Sequence, residues 1–180
     1  MSLKSFFAKI FANVVVMQQQ KWMIKPVVTQ QNLFYSLIQQ AKQTQFGKDH
    51  LFLAIKSHAD FVKYVPVRDY EALKPYVDKV VAGEKDILWK GKPLYFAKTS
   101  GTTSGAKYIP ITKESMPYHV QGARNAILFY IQETGNADFV DGKMIFLQGS
   151  PEMTGKNGVK VGRLSGIAAH YVPKYLQKNR

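Results

Sequence analysis

Apolar residues recur at three- and four-residue steps at the start of the chain: Leu3, Phe6, Phe7, Ile10, Phe11, Val14 and Met17. That stripe predicts an amphipathic helix whose apolar face packs into a core. Leu33, Phe34, Leu37, Ile38 and Ala41 predict a second helix, with Gly47 placed to end it and a turn at Pro26 folding the two helices onto each other. Pro66 breaks a short helical stretch, and a further helix begins near Arg68, carries Tyr70, Leu73, Val77 and Val80 inward and stops at Gly83. Pro75 lies inside it and is expected to start or kink it. After Gly91 and Pro93 the texture becomes strand-like. "PLYFAKTS" reads as one strand, and "KYIPIT" as a second that Pro110 confines to an edge or to irregular pairing. Thr112 then caps a helix with the stripe Met116, Val120, Ala123, Ile127 and Tyr130, ending at Gly135. "KMIFLQGS" predicts a buried strand running into the turn Gly149, Ser150 and Pro151. Beyond it, Gly155, Gly158, Gly162 and Gly166 leave a segment with no predicted element. The fold class is therefore α/β, with residues 1–90 mainly helical and 91–180 mixed.

Composition narrows the function. The 180 residues are 46% hydrophobic and 13% aromatic, enough for one compact core or for a large piece of a bigger domain. Lys and Arg outnumber Asp and Glu by 25 to 12, and the net charge of +13 favours anionic partners. The basic residues are scattered, which reads as a solvated surface rather than a nucleic-acid patch. The absence of cysteine removes disulfides, thiolate nucleophiles and Cys-based zinc sites, and fits a cytoplasmic compartment. His50, His58, His119 and His170 stand too far apart in sequence to suggest a metal site, so none is expected. Lys9 and Asn13 interrupt the apolar start, which argues against a signal peptide, and core packing is favoured over membrane attachment for that helix.

The stretch "TSGTTSGAK", Thr99 to Lys107, holds the densest chemistry. Backbone N–H groups of a tight glycine loop converge, Ser and Thr hydroxyls add donors, and a lysine adds charge, which together suit a polyphosphate. It is not a Walker A loop: Gly101 and Gly105 are too close, Lys107 is two past the second glycine, and Tyr108 occupies the Mg-binding hydroxyl position. No G-x-G-x-x-G turn is present either.

"TSGTTSGAK" resembles the phosphate-binding loop of adenylate-forming enzymes. "TQFGKDH" at 44 to 50, "DFVKYVPVRDYEALKPYV" at 60 to 77, "GEKDILW" before the loop and "GRLSGI" at 162 to 167 resemble the N-terminal part of the GH3 family, the acyl acid-amido synthetase branch, in its bacterial form. The resemblance covers about residues 25 to 175. It implies a two-step ligase in which ATP and a carboxylic acid give an acyl adenylate and pyrophosphate, and an amino acid's amine then forms the amide. It also implies that Thr99, Ser100, Gly101, Thr102, Thr103, Ser104 and Gly105 wrap the β- and γ-phosphates, that Lys107 is the loop lysine, and that ATP is used with Mg2+. Many family members carry one more residue, often proline, before that lysine. Family enzymes run to several hundred residues, so the resemblance implies a partial N-terminal ATP-binding domain, 1–180, with the ribose and adenine contacts beyond Arg180 and no catalysis expected from this piece alone.

The expected partners are thus a small carboxylic acid and an amino acid, with no nucleic acid and no membrane. Gln148, Gly149 and Ser150 end a strand, where α/β folds place ligands, and read as a structural turn. Arg163, Ser165 and Gly166 line an acyl pocket or start a helix, His119 reads as an exposed helix position, and Trp22 and Trp89 read as packing residues. Two other classes compete: a small basic nucleotide- or nucleic-acid-binding module, and a membrane-surface or scaffold protein using the first helix.

Overall fold

The computed structural model describes residues 2–99, 105–143, 145 and 147–172. Five helices come first: α1 (Leu3–Ile24), α2 (Pro26–Ala41), α3 (Gln45–Asp49), α4 (His58–Tyr64) and α5 (Tyr70–Ala82). Then follow β1 (Tyr95–Lys98), β2 (Tyr108–Ile111), α6 (Met116–Thr134), β3 (Thr154–Lys156), β4 (Val159–Gly162) and α7 (Leu164–Ala169). The sheet order is β2-β1-β4-β3; β1 runs parallel to β4, and the two outer pairs are antiparallel. β2 is an edge strand, as its proline requires.

Strand alternation sends side chains to two layers. Phe96, Val159 and Val161 pack on Val77, Val80 and Val81 of α5, and on the other face Ala97 and Ile111 pack on Met116 of α6 and Ile167 of α7. α5 begins at Asp69, whose carboxylate accepts the Ala72 N–H, runs through Pro75 and ends at Gly83, left-handed with φ +99°. Gly135 ends α6 in the same way.

The structure corrects several sequence expectations. On α1 the predicted stripe lies outward, from Leu3 to Met17, and the buried line is Ser5, Ala12, Val15 and Val16. Small residues win that face because α6 packs closely there, with Ala12 and Val15 against Leu128 and Ile131. Ser5 is held by the 137–141 turn, its hydroxyl bonding Ala137 O and Asp141 Oδ2, each at 3.1 Å. The same contact turns α6, burying Leu128 and Ile131 in place of Ile127 and Tyr130. α2 packs on Phe52 and Ile55 rather than chiefly on α1. Trp89 joins that cluster, whereas Trp22 is 48% exposed.

"KMIFLQGS" carries no strand at its described residues, and Ile145 and Leu147 are exposed. β1 and β4 already have a neighbour on each side, so the segment finds no central place in the sheet. The glycine-rich end is ordered instead: Asn157 (φ +49°) and Gly158 (φ +80°) form a two-residue hairpin turn between β3 and β4.

Gly47 does not stop α2; it lies buried inside α3, pressed on the end of α2. Thr44 Oγ1 donates to Ala41 O at 2.7 Å and accepts the Gly47 N–H at 3.0 Å. His50 is buried with both ring nitrogens engaged: Nδ1 on Phe46 O at 2.7 Å, which places the proton there, and Nε2 accepting from Arg68 Nη1 at 2.6 Å. Gln45 and Phe46 also donate backbone N–H bonds to Asp86 and Ile87. Three motif segments, 44–50, 60–77 and 83–89, therefore form one corner.

Candidate functional site

Parallel strands β1 and β4 point their carboxyl ends the same way, and the chain leaves both at one edge of the sheet. In α/β folds a ligand sits outside such ends, because two diverging loops leave a crevice there. An open cleft of about 970 Å³ occupies that position, with Lys98 and Thr99 from the end of β1, Gly162 and Arg163 from the end of β4, Ala106 from the loop exit and Ser150 with Glu152 from the preceding turn. Its described cations are Lys98, the last residue of β1, and Arg163, the first residue after β4.

The loop has a closed neck. Thr99 N–H donates to Lys107 O at 3.1 Å, and Lys107 N–H reaches Thr99 Oγ1 at 3.4 Å. Gly105, with φ +78°, takes the left-handed turn just before that neck. Ser100, Gly101, Thr102, Thr103 and Ser104 lie outside the described residues. Thr99 thus faces the cleft, while the Lys107 ammonium lies 5.1 Å from the centre of the Tyr70 ring. Tyr70 Oη accepts the Tyr108 N–H at 2.9 Å, so the first residue of α5 pins the first residue of β2. β4 is tied to α5 as well, because Asn157 Nδ2 donates to Val81 O at 2.7 Å.

The other rim is built from the two segments that the sequence reading kept apart. Gly149 N–H donates to Ser165 Oγ at 2.9 Å, and His170 Nε2 lies 2.8 Å from Pro151 O, so 149–151 runs along α7. A Cβ on Gly166 would stand 2.1 Å from Ser150 O, so the close approach admits only glycine. Tyr171 donates to Tyr95 Oη at 3.1 Å, and burial, then this bond, pushes its phenol up to about 12. His119 stands exposed on α6, away from these contacts.

Sequence reasoning missed Lys98 and Tyr70. Lys98 ends a strand beside the loop, and that position was a usable signal; Tyr70 is far from the loop in sequence, and its hydrophobic spacing showed only that it faces inward.

A model of the GH3 family N-terminal domain matches residues 16–179. The chain is 29% identical over 105 residues to jasmonoyl–L-amino acid synthetase JAR4 of Nicotiana attenuata, covering 57% of this chain and 18% of that protein. It is 36% identical over 72 residues to the probable indole-3-acetic acid-amido synthetase GH3.13 of Oryza sativa subsp. japonica, covering 39% of this chain and 14% of that one. The chain therefore spans less than a fifth of the length of these relatives. The solved AtGH3.15 acyl acid amido synthetase in complex with 2,4-DB superposes with a TM-score of 0.69 at 22% identity, over 83% of this chain and 26% of that one, which establishes the shared fold. With its mixed helix and sheet architecture and a family match across almost its whole length, this chain belongs to the GH3 family, through that family's N-terminal domain.

Proposed function

We propose that this chain forms the ATP-phosphate end of a carboxylate-activating ligase. In this reading a carboxylic acid attacks the α-phosphate of ATP, giving an acyl adenylate and pyrophosphate. The amine of an amino acid then attacks the acyl carbon, forming an amide and releasing AMP. The observation that carries the reading is the glycine- and hydroxyl-rich loop leaving β1 at the carboxyl end of a parallel pair, in a chain of the GH3 family. Thr99, Ser100, Gly101, Thr102, Thr103, Ser104 and Gly105 donate to the β- and γ-phosphates, and Lys107 supplies charge from the loop exit. Small residues let the backbone come close, and donors aimed at departing pyrophosphate stabilise its charge as it develops. The cleft is large enough for a nucleotide, and Lys98 and Arg163 give it the positive lining that a polyphosphate needs. Mg2+ arrives on the phosphates.

The test grafts residues 16–179 onto a GH3 relative in place of its matching region and measures acid-dependent pyrophosphate release from ATP. Release is expected, and Ser100→Ala with Thr103→Ala lowers it on the order of a hundredfold, the loss seen when oxyanion donors are removed. A folded graft that releases none rejects the reading, and release unchanged in the double variant removes the loop from it.

A further inference from the structure

Tyr70 touches two consecutive residues at the loop exit with two different parts of its side chain. Its hydroxyl oxygen accepts the Tyr108 N–H at 2.9 Å, and its ring carries the Lys107 ammonium 5.1 Å from the centroid. The ring is itself fixed. Tyr70 opens α5 behind the Asp69 cap and packs, half-buried, on the cluster of Val77, Phe96 and Val161. The Lys107 backbone is fixed separately by its pairing with Thr99.

A lysine held at its backbone and at its ammonium has given up much of its rotamer freedom before any ligand arrives. The aromatic face attracts the ammonium through its quadrupole, while the N–H donors directed away from the ring stay open. Among the described residues the one ion pair is Lys74 with Asp78, so no described carboxylate claims the Lys107 charge.

We propose that Tyr70 is a positioning residue for anion binding at the loop: its hydroxyl anchors the first amide of β2, and its ring pre-sets the Lys107 ammonium to receive a phosphate oxyanion. The inference rests on the phosphate-loop reading and adds to it a residue of α5. Loss of Tyr70 weakens anion binding through Lys107 rather than by loosening the fold.

The test is a double-mutant cycle, Tyr70→Leu against Lys107→Met, with inorganic pyrophosphate titrated into the chain and binding followed by calorimetry. Lys107→Met weakens binding about tenfold, as expected for a lost charge-assisted contact. Tyr70→Leu weakens it about two- to fivefold, the strength of an exposed cation–π contact, and adds nothing in the Lys107→Met background. Tyr70→Phe keeps the ring and so keeps the coupling, which separates positioning from a variant that merely folds badly. Losses that multiply, or tighter binding by Tyr70→Leu, overturn the inference and leave the loop reading standing. No binding by the unaltered chain, or binding that Lys107→Met leaves unchanged, overturns the loop reading and the inference with it.

Discussion

Replacing Gly47 with alanine lowers the stability of the chain by about 4 kcal/mol, a loss of the size that marks a specific structural fault. The added Cβ would stand 2.2 Å from Ala41 O and 3.0 Å from both Ala41 C and Lys42 Cα. All three are backbone atoms, so no flexible side chain can yield. Relief requires α3 to move away from the end of α2, which breaks the two Thr44 bonds and leaves buried polar groups without partners. The measurement is the urea midpoint at unchanged slope. Gly122 is the control: it sits within α6 with nothing near its missing Cβ, and Gly122→Ala is neutral or raises stability by up to about 1 kcal/mol. A loss below about 1 kcal/mol at Gly47 would show that α3 does not press on α2 as described.

Phe96→Ala removes about 3–5 kcal/mol by emptying the layer between α5 and the sheet. Phe96 is fully buried, pairs with Pro110 on one side and Val161 on the other, and meets the Tyr108 ring edge-on at 6.0 Å. The cavity therefore opens beneath the loop neck as well as beneath α5. Urea unfolding gives the size of the loss, and a cost near 1 kcal/mol would mean that the layer collapses to fill the space.

Local punctuation was the most legible part of the sequence. Gly83 and Gly135 ended their helices, and Pro110 marked an edge strand, because each acts through its own backbone geometry. Periodicity was less sufficient on α1, where two faces are apolar: one carries Phe7, Ile10 and Val14, the other Ala12, Val15 and Val16. Which face is buried depends on how closely α6 approaches, and the smaller side chains allow the closer contact. The Asn157–Gly158 turn was readable as a hairpin signal but lay in a segment without long apolar runs. The pairing of β1 with β4 joins segments far apart in the chain, and no local pattern encodes that neighbour. For the same reason the hydroxyl- and glycine-rich stretch at 99–107 stood out from its own residues, while only the fold brings Lys98 and Arg163 to one cleft and Tyr70 to the exit of that stretch.

The outer side of β2 has a consequence for aggregation. Starting from the Thr99–Lys107 bond, the alternation of the antiparallel ladder turns the amides of Tyr108 and Pro110 away from β1. One of those donors is occupied by the Tyr70 hydroxyl, and proline has none to offer. That edge therefore presents carbonyls without a free amide, and a strand from another copy or from a growing fibril cannot complete a ladder there. Extension of the sheet is left to the three-residue β3, too short to template much.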